Sequence, residues 1–312
     1  MSAYSSAYLK RLARTALKGH WLTAILIALI VNLPSLLVQG IAAVTGNDLA
    51  GRLQNLLIAS MNSSGTAVNM DRFADGVQAI RTETGIWVMQ GLNAAAWLLT
   101  PCLTLGMTAW MLGRLRGQED GGVKGVFSRI SLFLKGIGLR LFVALRIVLF
   151  MLPGAALSLL SLVPLLMNGA GGQISQAALS ASMGLQTVGL IAAMALGIMA
   201  AVRYGLSDME MADHPEWSPI RAARASRDAT KGLRGQLFAV YLSFVPWYLL
   251  GMLVSSLCFE MFGSVPALML EMLVSLAISA YLNATVCGFY LVGESGGEAI
   301  QDGTSDEDGA EE

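Results

Sequence analysis

The sequence predicts an all-α membrane protein, a bundle of six transmembrane helices accompanied by amphipathic helices at the membrane surface. Of its 312 residues, 55% are hydrophobic and only 13% are charged, and the mean hydropathy is +0.61. Soluble domains carry about 25% charged residues, so this composition excludes an ordinary soluble globule. Six apolar segments are each long enough, at ~20 residues, to cross a hydrocarbon layer ~30 Å thick.

These segments divide the chain into three parts. Residues 1–20 are expected to form an interfacial amphipathic helix, residues 21–293 the six-helix transmembrane domain, and residues 294–312 a disordered acidic tail. The tail has eight acidic residues and no basic one, a composition that does not support a folded core. The six predicted spans lie at about 21–45, 86–112, 138–166, 181–205, 236–262 and 265–292.

Basic residues are distributed unevenly between the two faces of the membrane. Sixteen of the 20 Lys and Arg lie before the first span or in the second and fourth loops, on the side that holds both termini. The opposite side has Arg52, Arg72 and Arg81. The positive-inside rule therefore predicts that both termini are cytoplasmic. The first span has a longer apolar run than a typical signal peptide, so it is expected to remain as an uncleaved anchor. The overall charge of −1 gives no indication of nucleic-acid binding.

Three stretches outside the spans have amphipathic patterns. Leu9, Ala13 and Leu17 recur at helical spacing opposite basic residues, which favours a helix lying in the lipid headgroup layer over a plain extension of the first span. Residues 121–135 show a similar pattern and are expected to rest on the same leaflet. In the outer loop, Asp48 is a candidate cap for a short helix that follows it.

Small residues form a row on the fourth span. Gly189, Ala193, Gly197, Ala201 and Gly205 recur at intervals of four, a spacing that allows another helix backbone to approach closely. We therefore expect this helix to be central, with Gly197 against a neighbouring backbone.

Proline is a second feature of the spans. Within a helix it removes a backbone hydrogen bond and bends the helix. Four spans contain one near the middle, at Pro34, Pro101, Pro153 and Pro246.

Four polar residues within the spans form a candidate intramembrane site: Arg146, Glu271, Asn32 and Asn93. Charged residues are costly in lipid and often mark functional sites. Arg146 and Glu271 enter the membrane from opposite faces, so contact between the third and sixth helices would form a buried pair or a polar cavity. The alternatives are snorkelling of Arg146 towards the inner surface and a shorter sixth span.

Catalytic and metal-binding patterns are not found. Only two histidines are present, and no P-loop or zinc-binding spacing occurs among the His and Cys residues. The sequence G-x-S-x-G at Gly293 has no histidine after it, as a hydrolase would require. Asp208, Glu210 and Asp213 are expected to form salt bridges with Arg203, Arg221 or Arg224. We thus predict a protein that is not an enzyme, with no catalytic, cofactor or metal site.

The fourth loop and fifth span carry a distinctive set of residues. It comprises Tyr204, Met209, Ala212-Asp213-His214-Pro215, Ser218, Ala222, Ser226, Lys231-Gly232, Leu237-Phe238, Leu242-Ser243-Phe244 and Trp247. This set resembles the bacterial integral membrane family called domain of unknown function 975. Landmarks near Gly19 and at Leu152-Pro153-Gly154 are similar to that family as well. The resemblance implies a six-helix fold in the bacterial cytoplasmic membrane and supplies no reaction or catalytic residue.

Ser218 and Pro219 predict the start of a short helix in the same loop. Basic residues along it, Arg221, Arg224 and Lys231, are candidate contacts for anionic lipid headgroups, the alternative being a solvated stripe that only sets topology. The expected function is non-catalytic, in envelope organisation or as an accessory to export, and the alternative is a small-solute transporter or channel. Expected partners are the lipid bilayer and a membrane protein or a second copy of the chain.

Overall fold

The computed structural model describes residues 5–45, 49–60, 75–80, 83–118, 122–161, 163 and 176–305. These residues contain six helices long and apolar enough to cross a membrane, and no strand occurs among them. The six are Trp21–Ala42, Thr84–Leu115, Phe133–Leu160, Ser180–Asp213, Arg234–Phe262 and Met269–Glu294. Each overlaps one predicted span, so the prediction of an all-α bundle with six spans is confirmed.

We number the helices of the described residues in chain order. They are α1 (Ser6–Leu17), α2 (Trp21–Thr45), α3 (Leu49–Ser60), α4 (Thr84–Leu115), α5 (Phe133–Leu160), α6 (Gln176–Arg203), α7 (Ser207–Asp213), α8 (Pro219–Ala229), α9 (Arg234–Leu242), α10 (Val245–Phe262) and α11 (Ser264–Ser305). A 3₁₀ segment, Gly122–Leu132, precedes α5, and residues 75–80 form one further short helical stretch.

Helix α4 is the centre of the bundle. It packs against α2, α5, α7, α11 and the 3₁₀ segment, and 56% of its most apolar stretch is buried, against 28% for the fourth span. The expectation that the fourth span is central is therefore wrong. The small residues of the fourth span instead lie where α6 packs against α5. Of the six spans, α5 has the smallest buried share of its most apolar stretch, 6%.

The contact between α5 and α6 depends on residues without side chains. A Cβ on Gly189 would lie 2.5 Å from the backbone nitrogen of Ser158, and a Cβ on Gly154 would lie 2.5 Å from the Cα of Ala193. The predicted close approach of a backbone to the small-residue row is confirmed at Gly189. At Gly197 it is wrong, because this glycine faces the flexible side chain of Met151.

The prolines have two different effects. Pro34, Pro101 and Pro153 lie inside continuous helices, whereas Pro246 is in the first turn of α10. The fifth span is consequently two helices, α9 and α10, joined at residues 243–244. Proline is favoured in the first turn of a helix because the missing N–H has no helical partner there.

The amino-terminal helix α1 is held by protein. Its apolar residues Leu9, Ala13 and Leu17 are fully or almost fully buried, and α1 packs mainly against α11. Gly288 of α11 permits this contact, since Leu12 lies 3.3 Å from where its Cβ would be. The apolar face that we expected to meet lipid is thus covered by the bundle, because periodicity indicates a buried face without indicating what buries it.

The 3₁₀ segment also packs on the bundle. Val126 is completely buried, and its carbonyl group lies against Gly106 of α4 so closely that a Cβ there would clash with it. Phe127 of the same segment remains exposed. The stretch expected to rest on the leaflet therefore has one face against α4.

Two predictions concern the hydrophilic segments, namely a helix in the first outer loop and a disordered acidic tail. The helix predicted in the outer loop is present as α3, while its candidate cap Asp48 lies outside the described residues. Helix α11 is described through Ser305. The disorder expected for the acidic tail stays a prediction. Residues 306–312 are outside the described part.

Candidate functional site

Three polar residues form a stripe on the outer part of α11. Glu271, Ser275 and Ser279 follow one another at intervals of four and line a cavity of roughly 670 Å³ between α2, α10 and α11. Eight residues of helix correspond to ~12 Å, so the stripe extends from near the start of the sixth span, at Met269, well into the apolar layer. We call this cavity the outer cleft, after the side of the membrane on which the charge distribution predicts that it lies.

The other walls of the outer cleft supply further hydrogen-bonding groups. Helix α2 contributes Asn32 and Gln39, and α10 contributes Tyr248. The side-chain nitrogen of Asn32 donates to the carbonyl of Ala28 at 2.7 Å, which leaves its side-chain oxygen available to the cleft. The lining residues include one carboxylate and no Lys or Arg, so the cleft favours a cationic or hydroxyl-bearing guest over an anion.

A tightly packed stretch of α11 closes the inner side of the outer cleft. Residues 284–290 are buried throughout, and Ala280 is also fully buried. Beside this stretch, Tyr281 donates its hydroxyl hydrogen to the carbonyl of Lys10 at 3.2 Å and accepts a hydrogen bond from Arg14 at 2.9 Å. Helix α1 therefore helps to seal the bundle between its two ends.

A second cavity, of roughly 270 Å³, lies beyond this stretch. Its lining comes from α7, the end of α8, the α9 entrance and the inner part of α11. We call it the inner cavity, and its lining residues are Leu206, Glu210, His214, Ala229, Leu233, Phe289, Tyr290, Gly293 and Glu294. A single helix, α11, thus lines two cavities that are separated by about ten residues, or ~15 Å.

An ion-pair network joins three helices beside the inner cavity. Arg116, just after α4, makes two hydrogen bonds to Asp213 at 2.6 and 2.7 Å and one to Glu294 at 3.0 Å. Tyr290 donates to Asp213 at 3.2 Å. Hydrogen bonding to Asp213 raises the pKa of the Arg116 guanidinium above its ordinary value. The expectation that Asp213 pairs with Arg203, Arg221 or Arg224 is wrong, because α7 packs against α4 and brings the carboxylate to Arg116.

Two buried hydroxyls hold the break between α6 and α7. Ser226 accepts a hydrogen bond from the backbone nitrogen of Leu206 at 3.2 Å, and Thr230 donates to the carbonyl of Arg203 at 3.2 Å. Both hydroxyl-bearing residues are fully buried. These bonds satisfy the backbone nitrogen of Leu206 and the carbonyl of Arg203, which would be costly to leave unpaired in an apolar layer.

The predicted start of the short loop helix is confirmed. The hydroxyl of Ser218 accepts a hydrogen bond from the backbone nitrogen of Arg221 at 3.3 Å, and Pro219 is the first residue of α8. The indole of Trp217 has two ring contacts: the His214 ring is stacked at 4.0 Å, and the Arg221 guanidinium lies 4.4 Å from the ring centre.

The three candidate headgroup residues are all exposed on α8 or just after it. Lys231 is paired with Asp228 at 2.9 Å, and Arg227 contacts the same carboxylate at 3.0 Å. Hydrogen bonds from Arg227 and then Lys231 lower the pKa of Asp228 to about 2. The three basic residues therefore have different surroundings. Lys231 is neutralised by Asp228, Arg221 is stacked on Trp217, and Arg224 is exposed on α8.

The four candidate intramembrane residues are divided between different places. Asn32 and Glu271 both line the outer cleft. Arg146 is exposed on α5 with its guanidinium 5.2 Å from the centre of the Phe142 ring, and no ion pair joins it to Glu271 among the described residues. Asn93 is exposed on α4 and donates to the carbonyl of Met89 at 3.0 Å. Helix α5 packs mainly on α6, which explains why Arg146 is remote from α11.

Several lining residues were not identified from the sequence. Ser275 and Ser279 could have been found from their spacing after Glu271, because residues at intervals of four share one helix face. The salt bridge expected for Glu210 with Arg203, Arg221 or Arg224 is not found among the described residues, and nothing local indicated that Glu210 and Tyr290, on α7 and α11, would line one cavity. In the described ranges, no group of three His, Cys, Asp or Glu residues is close enough to hold a metal ion.

A comparison with protein families finds one match for this chain. The model described as "Protein of unknown function (DUF975)" matches residues 1–292, which covers all six spans and confirms the resemblance inferred from the fourth loop. Comparisons with curated proteins and with solved structures find no match.

Proposed function

The chain belongs to the DUF975 family of proteins of unknown function, and we propose that it is a small-solute transporter that receives a polar solute in the outer cleft. The observation that carries this proposal is the stripe formed by Glu271, Ser275 and Ser279 along the cleft. A carboxylate and hydroxyls facing a cavity inside an apolar layer are costly unless they meet water or a ligand.

The arrangement along α11 supports transport over a simple binding role. The outer cleft and the inner cavity lie at successive levels of one helix, with buried residues 284–288 between them. Transporters that alternate between two open states need access from each side and a closed segment between the two. The carboxylate and the lack of Lys or Arg in the cleft lining favour a cationic or hydroxyl-rich neutral solute.

The proposed orientation follows the distribution of charge. The inner cavity is at the same end as Arg116 and the basic helix α8, and the positive-inside rule assigns such an end to the cytoplasm. The outer cleft then opens to the exterior. In this proposal the chain is a multi-pass protein of the bacterial cytoplasmic membrane with both termini cytoplasmic.

Cysteine accessibility tests whether the outer cleft is hydrated. In a chain without its three native cysteines, Ser279→Cys should react with the membrane-impermeant cation 2-(trimethylammonium)ethyl methanethiosulfonate added outside intact cells. Ser255→Cys is the matched control, since Ser255 is 6% exposed and lies outside the cleft lining. Equal and negligible labelling of the two cysteines would contradict a hydrated cleft.

A flux screen in liposomes tests transport itself. Purified protein should accelerate uptake of at least one member of a panel of amines, amino acids and sugars, and Glu271→Gln should reduce the rate about tenfold or more, as loss of a charge-assisted hydrogen bond predicts. Glu260→Gln is the control, because Glu260 is exposed on α10 outside the cleft lining. Identical uptake by liposomes with and without protein for the whole panel would refute the proposal.

A second candidate is the non-catalytic accessory role in envelope organisation or export. It is supported by Arg146, which is exposed at the middle of α5, the least buried span. A guanidinium facing lipid is costly, and an acidic residue on a partner helix, from another protein or a second copy, would neutralise it. A photocrosslinker at Leu145 should then capture a protein in membranes, and Arg146→Leu should abolish the capture. Crosslinks to lipid alone would oppose this role.

A further inference from the structure

The inner cavity contains a buried carboxylate with no partner. Glu210 is only 6% exposed and lines the cavity, and none of the described residues forms a hydrogen bond or an ion pair with its side chain. A buried carboxylate normally has a donor or a cation beside it. The cavity volume of roughly 270 Å³ is far above what one water molecule requires, so a larger group can enter.

The charges around Glu210 leave it uncompensated. Arg116 is the cation of the neighbouring ion-pair network, and it is already engaged by Asp213 and Glu294. The lining residues include no Lys or Arg. His214 stacks on Trp217 and has Glu216 as its acidic neighbour, 3.5 Å from Nδ1. The cavity therefore holds more negative than positive groups.

From this geometry we infer that the inner cavity binds a primary ammonium group, with Glu210 and Glu294 as its carboxylate partners. An ammonium carries three donors, enough to satisfy a carboxylate that lacks any. Phe289 and Tyr290 add aromatic rings to the wall, and aromatic rings attract organic cations. A metal ion is disfavoured because the described residues contain no three-ligand group. This inference does not depend on transport through the outer cleft.

The ammonium has two sources that the experiment must separate. One is a small amine dissolved in water, and the other is the headgroup of phosphatidylethanolamine, because the cavity lies at the end of the sixth span where headgroups are found. Full-length protein is therefore placed in nanodiscs of phosphatidylglycerol alone and in nanodiscs that also contain phosphatidylethanolamine. Thermal unfolding is measured with increasing ethylammonium, at constant ionic strength maintained with potassium.

In phosphatidylglycerol discs, ethylammonium should raise the melting temperature to a plateau, since a ligand that binds the folded state stabilises it. Glu210→Gln should abolish the rise, and Glu210→Asp, which keeps the charge on a shorter side chain, should weaken apparent affinity about tenfold. All of these measurements are made in a Glu271→Gln background, in which the outer cleft has lost its carboxylate, so failure of this site is distinguishable from failure of the transport proposal; Glu260→Gln, outside both cavity linings, should leave the rise unchanged. Circular dichroism confirms that each variant is folded.

The lipid source predicts a different pattern. Phosphatidylethanolamine would itself raise the melting temperature, added ethylammonium would have little further effect, and Glu210→Gln would lose the lipid-dependent rise. Either pattern supports an ammonium site. The inference is overturned if neither ethylammonium nor phosphatidylethanolamine raises the melting temperature, or if folded Glu210→Gln retains the whole rise.

Discussion

The contact between α5 and α6 provides a stringent test of the packing, because three glycines on α6 have three different surroundings. A Cβ at Gly189 would meet the backbone of Ser158, with its nitrogen at 2.5 Å and its Cα at 2.9 Å. A Cβ at Gly197 would meet the Met151 Cγ and Sδ atoms at 3.1 Å, and one at Gly184 would have nothing within 4 Å. Replacing each glycine with alanine therefore adds the same methyl group to three kinds of site.

The expected magnitudes follow from two opposing terms. Alanine in place of glycine within a helix is favourable by roughly 0.5 to 1 kcal/mol, and this gain is common to all three positions. Overpacking against an unyielding neighbour costs roughly 1 to 3 kcal/mol. Gly184→Ala should stabilise the protein slightly, Gly197→Ala should be nearly neutral because a methionine side chain can move, and Gly189→Ala should be destabilising.

The assay is reversible unfolding in mixed micelles with increasing sodium dodecyl sulfate, followed by circular dichroism. The difference in free energy of unfolding between the variants at 184 and 189 cancels the shared helix term and isolates the contact, so it should be about 1 to 3 kcal/mol. Equal stability of Gly184→Ala and Gly189→Ala would show that α6 does not pack on α5 through this row, and the proposed interface would be wrong.

Three further predictions concern topology, the ion-pair network and lipid binding. Single cysteines at Ser64 and Ser305 should be labelled from opposite sides of intact cells, and labelling from the same side would contradict the six-span topology. Arg116→Lys should lower the melting temperature, because lysine keeps the charge but cannot make the two parallel hydrogen bonds to Asp213. An unchanged melting temperature would show that this pair of hydrogen bonds does not stabilise the protein. Replacing all three basic residues of the loop with alanine should weaken binding of phosphatidylglycerol. The expected loss is about 1 kcal/mol for each charge that is unpaired in the original chain. Equal binding of this lipid by the variant and the original chain would favour a purely topological role. The three residues are Arg221, Arg224 and Lys231.

The difference between α1 and the outer cleft illustrates how far sequence patterns reach. The spacing of Leu9, Ala13 and Leu17 correctly indicates a helix with a covered face, yet the covering surface is α11, more than two hundred residues away. Periodicity reports that a face avoids water. It carries no information on whether lipid or another helix provides the cover.

The same limit applies to charged residues. Arg146 and Glu271 are recognisable as unusual from the sequence, because any charge within an apolar span is costly. Whether they meet depends on which helices are neighbours. Helix α5 is paired with α6 through glycines, while α11 packs against α10, α1, α4 and α2. Glu271 therefore lines the cleft together with Asn32, and Arg146 is exposed on α5.

The sequence by itself determined the number of spans, their class and the short helix that begins after Ser218, because length, hydropathy and capping are local properties. Tertiary structure alone decided that α4 is central, that Asp213 pairs with Arg116, and that Glu210 and Tyr290 line one cavity. These are relations between residues far apart in the chain. In an apolar medium hydrophobicity does not decide which spans become neighbours. That choice depends on backbone fit and polar pairing, which become visible only when the helices are assembled.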